Sequence, residues 1–294
     1  MYKMRLSTST CIHEKVLWGK DVFYSCEESI TACVKAGYKV LDMNFATYSR
    51  GTLPMTQPDW QDWTKRQREL ADSYGVEFSQ AHAHFYDWRN LSDEEEAWHE
   101  ELMRRSIIGA GIVGAKWLVI HPGSVDDDIW YSHDLSLAKN VKAFRKYGDL
   151  AAQHNVHIAI ENMIERRNGR RYASSTEELL ELLDVLDDPM FGICWDTGHA
   201  HLAGINQCEA LRTIGKKLKA LHIADNRGEK DDHIAPYFGT IVWEPIMRTL
   251  KEIDYQGDFT YEIHNFTNGL PDGMHEQLIR FTYELGIFML DLAK

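Results

Sequence analysis

Proline and glycine are sparse. Only 7 prolines and 20 glycines are spread over 294 residues, and no Pro-, Gly- or Ser-rich stretch divides the chain. Residues 1–294 therefore read as one domain, a length that (β/α) barrels commonly reach. Cysteine is scarce too: Cys11, Cys26, Cys33, Cys194 and Cys208 form an odd set without a CxxC pair. That argues against a disulfide framework and suits a reducing, cytoplasmic compartment. No apolar run approaches the roughly 20 residues that a membrane helix needs. The N-terminal MYKMRLSTSTCIHE has no apolar stretch of signal-peptide length. Positive charge is in deficit, with 32 Lys+Arg against 45 Asp+Glu and a net charge of −13. Such a chain repels nucleic acid and anionic membrane unless a local basic patch overrides the total. Aromatic residues are plentiful (Trp 9, Tyr 13, Phe 11), which excludes disorder as the dominant state.

What recurs is an alternation of short apolar runs with longer segments of helical spacing. Strands are expected at Leu6–Thr10, Val40–Asn44, Val76–His82, Trp117–His121, His157–Glu161, Phe191–Asp196, Leu218–His222 and Phe259–Ile263. Between and after them, helices are expected at Phe23–Ala36, Trp60–Tyr74, Asp93–Val113, Ser136–His154, Glu177–Leu186, Gln207–Ile214, Glu244–Ile253 and His275–Leu292. Gly37, Gly75 and Gly114 stand where helices should stop. Strands alternating with helices imply parallel strands joined by right-handed crossovers. Eight such units predict an α/β fold, the closed (β/α)8 TIM barrel. An open doubly wound sheet is the competitor, but STSTCIHEK after the first strand lacks that fold's glycine-rich phosphate turn.

The residues that end the strands carry the chemistry. His82 and His84 close the third, His121 the fourth, Glu161 the fifth, Asp196 with nearby His199 the sixth, His222 the seventh and Glu262 the eighth. In a barrel all would face the C-terminal mouth, where catalytic groups gather. A single strand-end histidine is more often a hydrogen-bonded structural group, and a single glutamate an ion-pair partner. DTGH could be no more than an Asx turn. Four consecutive strands ending on Glu161, Asp196, His222 and Glu262 are another matter. Converging carboxylates need a positive charge between them, and one divalent cation supplies it. Mixed oxygen and nitrogen donors suit Mn²⁺, Mg²⁺ or Co²⁺ and admit Zn²⁺. Cys194, two residues before Asp196, falls one layer deeper, in the core.

The run HPGS, AIEN, WDTGH, LHIADN, DDH, GTIVW and YEIH resembles the xylose isomerase-like TIM-barrel superfamily. That superfamily holds sugar and sugar-phosphate isomerases and epimerases, inosose-type dehydratases and isomerases, and apurinic/apyrimidinic endonucleases related to endonuclease IV. The resemblance implies one divalent metal held by Glu161, Asp196, His222 and Glu262. It also implies that Glu161 and Glu262 act as acid and base on opposite faces of a substrate, with a metal-stabilised enediolate between the two proton transfers. His82, His121, His199, Arg227, Asp231 and His233 are the implied substrate-binding residues. Arg227 stands one residue closer to the histidine than the arginine of the ketose 3-epimerase branch. Relatives of this kind are often dimers or tetramers, so a homo-oligomer is expected.

The function expected is therefore a metal-dependent isomerase or epimerase of a sugar, sugar phosphate or related polyol. Two alternatives share the ligand inventory: a cyclic-polyol dehydratase, and a zinc phosphodiesterase acting on abasic DNA. The second would recruit His82 or His84, His121, His199, Asp231 and His233 to a trinuclear site, against a net charge of −13. A barrel that binds a sugar without turnover is a third, non-enzymatic possibility. Arg166, Arg167, Arg170 and Arg171 after Glu161 could hold a phosphate or acid group of the substrate, or form a solvated loop tip or an oligomer contact. Trp88, Trp195, Tyr172 and Phe266 could stack on a sugar ring, although most aromatics are core, and Trp195 should point into the helix layer.

Overall fold

The computed structural model describes residues 4–13, 15–17, 20–22, 24–126, 131–164 and 170–293. In chain order the elements are β1 (Leu6–Ser9), β2 (Lys15–Leu17), β3 (Lys20–Val22), α1 (Cys26–Ala36), β4 (Val40–Asn44), α2 (Phe45–Tyr48), α3 (Trp60–Ser73), β5 (Glu77–His82), α4 (Asp93–Val113) and β6 (Trp117–Ile120). They continue with α5 (His133–Gln153), β7 (His157–Glu161), α6 (Thr176–Leu186), β8 (Phe191–Asp196), α7 (Thr197–Leu202), α8 (Gln207–Ile214), β9 (Leu218–His222), α9 (Trp243–Glu252), β10 (Phe259–Tyr261) and α10 (His275–Leu292).

Eight strands form one parallel sheet in the order β10-β1-β4-β5-β6-β7-β8-β9. A parallel bridge between Ile223 and Tyr261 joins its two ends, so the sheet closes into the expected TIM barrel. The remaining strands, β2 and β3, form an antiparallel hairpin after β1 that the sequence pattern did not reveal.

Local chemistry sets the helix ends. Ser25 caps α1 and Glu28 reaches back to it, a capping box that starts this helix at Cys26 rather than at Phe23, which lies outside the described residues. Ser92 and Glu95 do the same for α4. Ser132, not Ser136, caps α5; the Ser136 hydroxyl instead bonds back to the carbonyl of Ser132 at 2.6 Å. Gly37 ends α1 at φ 117°, where a side chain would be strained and would also meet the Tyr283 ring.

Side-chain alternation then builds the barrel interior in layers. Val119, Ala159, Cys194 and Ala220 form a small inner cluster inside β6 to β9. Two positions on, in the same inward phase, stand His121 just past β6 and Glu161, Asp196 and His222 at the ends of β7, β8 and β9. Small apolar side chains thus plug the barrel directly beneath the polar groups. The large core lies outside the sheet, where Trp195, Trp243 and Phe144 are fully buried against the helices. Among the described residues no helix is long and apolar enough to cross a membrane.

One loop is pinned with particular care. The buried Asp225 carboxylate accepts from four donors: Asn226 N at 2.8 Å, Ile241 N at 3.2 Å, Tyr237 N at 3.1 Å and Trp243 Nε1 at 2.9 Å. The segment so fixed carries Asp231 and His233. Removing the carboxylate would orphan buried N–H groups. Asp225→Ala is expected to lower stability by about 3 kcal/mol in urea unfolding; a loss below about 0.5 kcal/mol would show that the carboxylate does not hold the loop.

Candidate functional site

The polar layer at the mouth is almost wholly buried. Glu161, Asp196 and His222 have no solvent exposure, and Glu262 is buried one residue beyond the end of β10. One donor atom from each of these four residues lies within 4.8 Å of the others. His222 Nδ1 stands 2.9 Å from Glu161 Oε1 and 3.6 Å from Glu262 Oε2. Asp196 caps α7, with Oδ1 accepting from His199 N at 2.6 Å. Its Oδ2 is buried without a hydrogen-bond partner. The turn expected of DTGH is thus present, and the same carboxylate keeps one oxygen unpartnered within the cluster.

Around this centre the other sequence-selected residues fall into place. His82 Nε2 is 3.5 Å from Glu161 Oε2 and 3.2 Å from His121 Nε2, and His121 Nε2 is 2.9 Å from the same glutamate oxygen. His199, Asp231 and His233 form a second donor group, with Asp231 Oδ2 at 3.0 Å from His233 Nε2 and 3.5 Å from His199 Nε2. A cavity of about 310 Å³ opens over both groups, and its lining includes His82, His121, His199, Asp231, His233 and Glu262.

Some residues stand elsewhere. Arg227 is exposed, its guanidinium 3.5 Å from Asp232, and it does not line the cavity; Arg50 and Arg171 do. His84 turns away to stack on His99 and Tyr86. Of the arginine cluster, Arg166 and Arg167 lie outside the described residues. Arg170 binds Glu178 at 2.8 Å and covers the Tyr131 ring. Trp88, Tyr172, Trp195 and Phe266 do not line the cavity, whereas Phe85 does. Besides Phe85 and Arg50, polar residues that escaped the sequence reading include Asp42 beneath the site, and Asn44 and His264 in the cavity wall. The signal for each was inward phase, with Asp42 and Asn44 alternating on β4 and His264 two residues past Glu262.

The electrostatics follow from crowding. Burial works against the Glu161 charge, yet His222 and His121 hold its carboxyl well below the usual range. Glu262 is also held down despite burial, chiefly by His222 and His233. Burial pushes Asp196 up to about 6 against the pull of His199. His222 and His199 are raised well above an ordinary imidazole, and His233 to about 10, because neighbouring carboxylates outweigh the cost of burial. The carboxylates thus favour imidazolium groups beside them. Three buried carboxylates, one of them keeping the unpartnered Asp196 Oδ2, and one imidazole also form a donor set that fits a divalent cation.

The chain is similar to several known proteins. The model of the xylose isomerase-like TIM barrel matches residues 30–285. The chain is 27% identical over 279 residues to an uncharacterized protein of Methanocaldococcus jannaschii, covering 90% of this chain and 92% of that one. It is 23% identical over 248 residues to a probable endonuclease 4 of Staphylococcus aureus, covering 79% and 81% respectively. A solved D-tagatose 3-epimerase-like protein superposes with a TM-score of 0.75 at 22% identity, covering 99% of this chain and 98% of its own. At that identity the likeness is one of fold.

A cation bound through His222 would compete with a proton for Nδ1, and the carboxylates around this imidazole raise its proton affinity. The apparent Mn²⁺ affinity of the metal-free protein is therefore expected to climb with pH between about 6 and 8, with proton release visible in calorimetry in buffers of different ionisation enthalpy. A flat affinity without proton release would contradict this reading of the charges.

Proposed function

The chain belongs to the xylose isomerase-like TIM barrel family, and on that premise we propose that it is a divalent-metal-dependent sugar epimerase or isomerase. Its central step would be removal of a proton from the carbon beside a carbonyl. The observation that carries this reading is the meeting of donor atoms of Glu161, Asp196, His222 and Glu262 in one buried cluster, of which Glu262 lines a ligand-sized cavity. These four would hold the cation, of the Mn²⁺, Mg²⁺, Co²⁺ or Zn²⁺ class. Such an ion, when bound, supplies positive charge beside the carbonyl oxygen and so favours the charge that builds there.

The residues of the chain do the rest. Glu161 and Glu262 are both held deprotonated, so either can accept a proton at neutral pH. They come from β7 and from the end of β10, and both approach the same nitrogen of His222, at 2.9 and 3.6 Å. One would take the proton from one face of the sugar; the other would return a proton to the opposite face, inverting that carbon. His199 is fixed through Nδ1 to Asn162 O at 2.8 Å and has Nε2 3.5 Å from Asp231 Oδ2 in the cavity wall, where the pair would meet a substrate oxygen together. His82, His121, Asp231 and His233 would line the sugar. Arg50 and Arg171, rather than Arg227, are the guanidinium groups in the cavity wall, and they suit a phosphate or acid group on the far end of the substrate. Dehydration of a cyclic polyol would begin with the same proton abstraction.

A second reading is favoured by the His199–Asp231–His233 group and by the likeness to probable endonuclease 4. It is a zinc phosphodiesterase with additional ions held by those residues and by His82 and His121. The net charge of −13 disfavours it, because duplex binding rests largely on phosphate contacts.

Two measurements separate the readings. Elemental analysis of the metal-loaded protein should give about one ion per chain for the sugar enzyme and about three for the nuclease. Incubation with a panel of ketoses and ketose phosphates in D₂O should place solvent deuterium on a substrate carbon, and Glu262→Gln should cut that exchange by roughly 100-fold or more while the circular dichroism is unchanged. Wild-type protein that exchanges nothing while cleaving abasic DNA would overturn the sugar reading. Arg171→Ala should raise KM for a phosphorylated ketose and leave an unphosphorylated one unaffected; equal KM values in both would remove the arginine from substrate binding.

A further inference from the structure

The histidines of the site are not held alike. His82, His199 and His233 each tie Nδ1 to a backbone carbonyl: Ala83 O at 2.7 Å, Asn162 O at 2.8 Å and Glu262 O at 2.9 Å. Each thereby turns Nε2 toward its neighbours in the site. His222 is reversed. Its Nδ1 faces Glu161 and Glu262, and its Nε2 faces a carboxylate, Asp42 Oδ2, at 3.3 Å. Asp42 is itself fully buried on β4. The same Oδ2 accepts from Gln80 Nε2 at 2.7 Å, and Gln80 is the register partner of Asp42 on β5. Leu221 O lies 3.5 Å from the same amide nitrogen.

A buried carboxylate in this position needs a reason. It is costly to hold without compensation, and on the far side of the imidazole it cannot share an ion with Nδ1. A ring nitrogen that binds a cation must keep its lone pair, so the proton must sit on the other nitrogen. A carboxylate is a stronger acceptor for that proton than the carbonyls serving the other three histidines.

We propose that Asp42 is a positioning residue for the metal centre: its carboxylate, steadied by Gln80, holds the Nε2 proton of His222 and so presents Nδ1, with its lone pair, to the cation shared with Glu161, Asp196 and Glu262. The inference rests on the metal reading above, but not on the identity of the substrate. Asp42 touches neither the cavity nor the other ligands, and it acts through His222 alone. The Gln80 contact locks the carboxylate in one orientation, so the ring is fixed in both tautomer and plane.

The test is Mn²⁺ binding to metal-free protein by calorimetry, for wild type, Asp42→Asn and Asp42→Ala. Asn keeps an oxygen acceptor and loses the charge; Ala loses both. Mn²⁺ affinity should fall modestly in Asp42→Asn and by roughly 10- to 100-fold in Asp42→Ala. In Zn²⁺-loaded protein labelled with ¹⁵N-histidine, the wild-type His222 should show a slowly exchanging proton on Nε2 that Asp42→Ala loses. Should Asp42→Ala not fold, Asp42→Asn carries the affinity test and Gln80→Leu the proton-exchange test. Wild type that binds no Mn²⁺ would sink the metal reading itself. Wild-type binding with affinities in folded variants within twofold of it, and an unchanged Nε2 proton, would overturn the role of Asp42 while leaving that reading intact.

Discussion

Like charges cannot be packed together in a protein interior unless something of opposite sign stands among them. The mouth of this barrel is built around that constraint. Glu161, Asp196 and Glu262 lose water on folding and converge from three different strands. The same carboxylates raise His222, His199 and His233, so imidazolium is the balancing charge that the chain itself offers. Under the proposed metal reading, a divalent ion would take over that balancing role among the same carboxylates. Protonated imidazoles satisfy charge but leave Asp196 Oδ2 without a partner; a cation with several coordination positions could satisfy both.

The scaffold makes this arrangement possible by phase. On four adjacent strands a small apolar residue fills the barrel, and the next inward side chain is a ligand-type group. These apolar side chains lie beneath the site, and the cavity of about 310 Å³ lies above it. Outside the sheet the aromatic core holds the strands in register. The loop carrying Asp231 and His233 is fixed by the four-donor cradle of Asp225, so even the groups that do not lie on strands are positioned by buried hydrogen bonds.

Period-two alternation is also why so much was legible in the sequence. A strand fully buried on both faces cannot hide an acidic or imidazole group at its end, so HIAIE, FGICWD, LKALH and TYE announced both the barrel and the cluster. Where information is local but short, the reading failed. The β2–β3 hairpin has three-residue strands, too brief for a period to emerge. Asp42 in VLDMN gave no signal of its own, because its contact is with His222, 180 positions away. Arg227 was misplaced by a different cause: sequence spacing says nothing of how a loop turns. Here the chain is drawn back by Asp225 so that Asp231 and His233 enter the cavity, while Arg227 faces Asp232 and solvent.

Anomalous diffraction at the manganese edge, from crystals grown with Mn²⁺ as the sole divalent ion, addresses the shared-cation centre most directly. A peak within coordination distance of Glu161, Asp196, His222 Nδ1 and Glu262 together is expected. A peak bound by fewer than three of these side chains, or density only at exposed carboxylates, would contradict it.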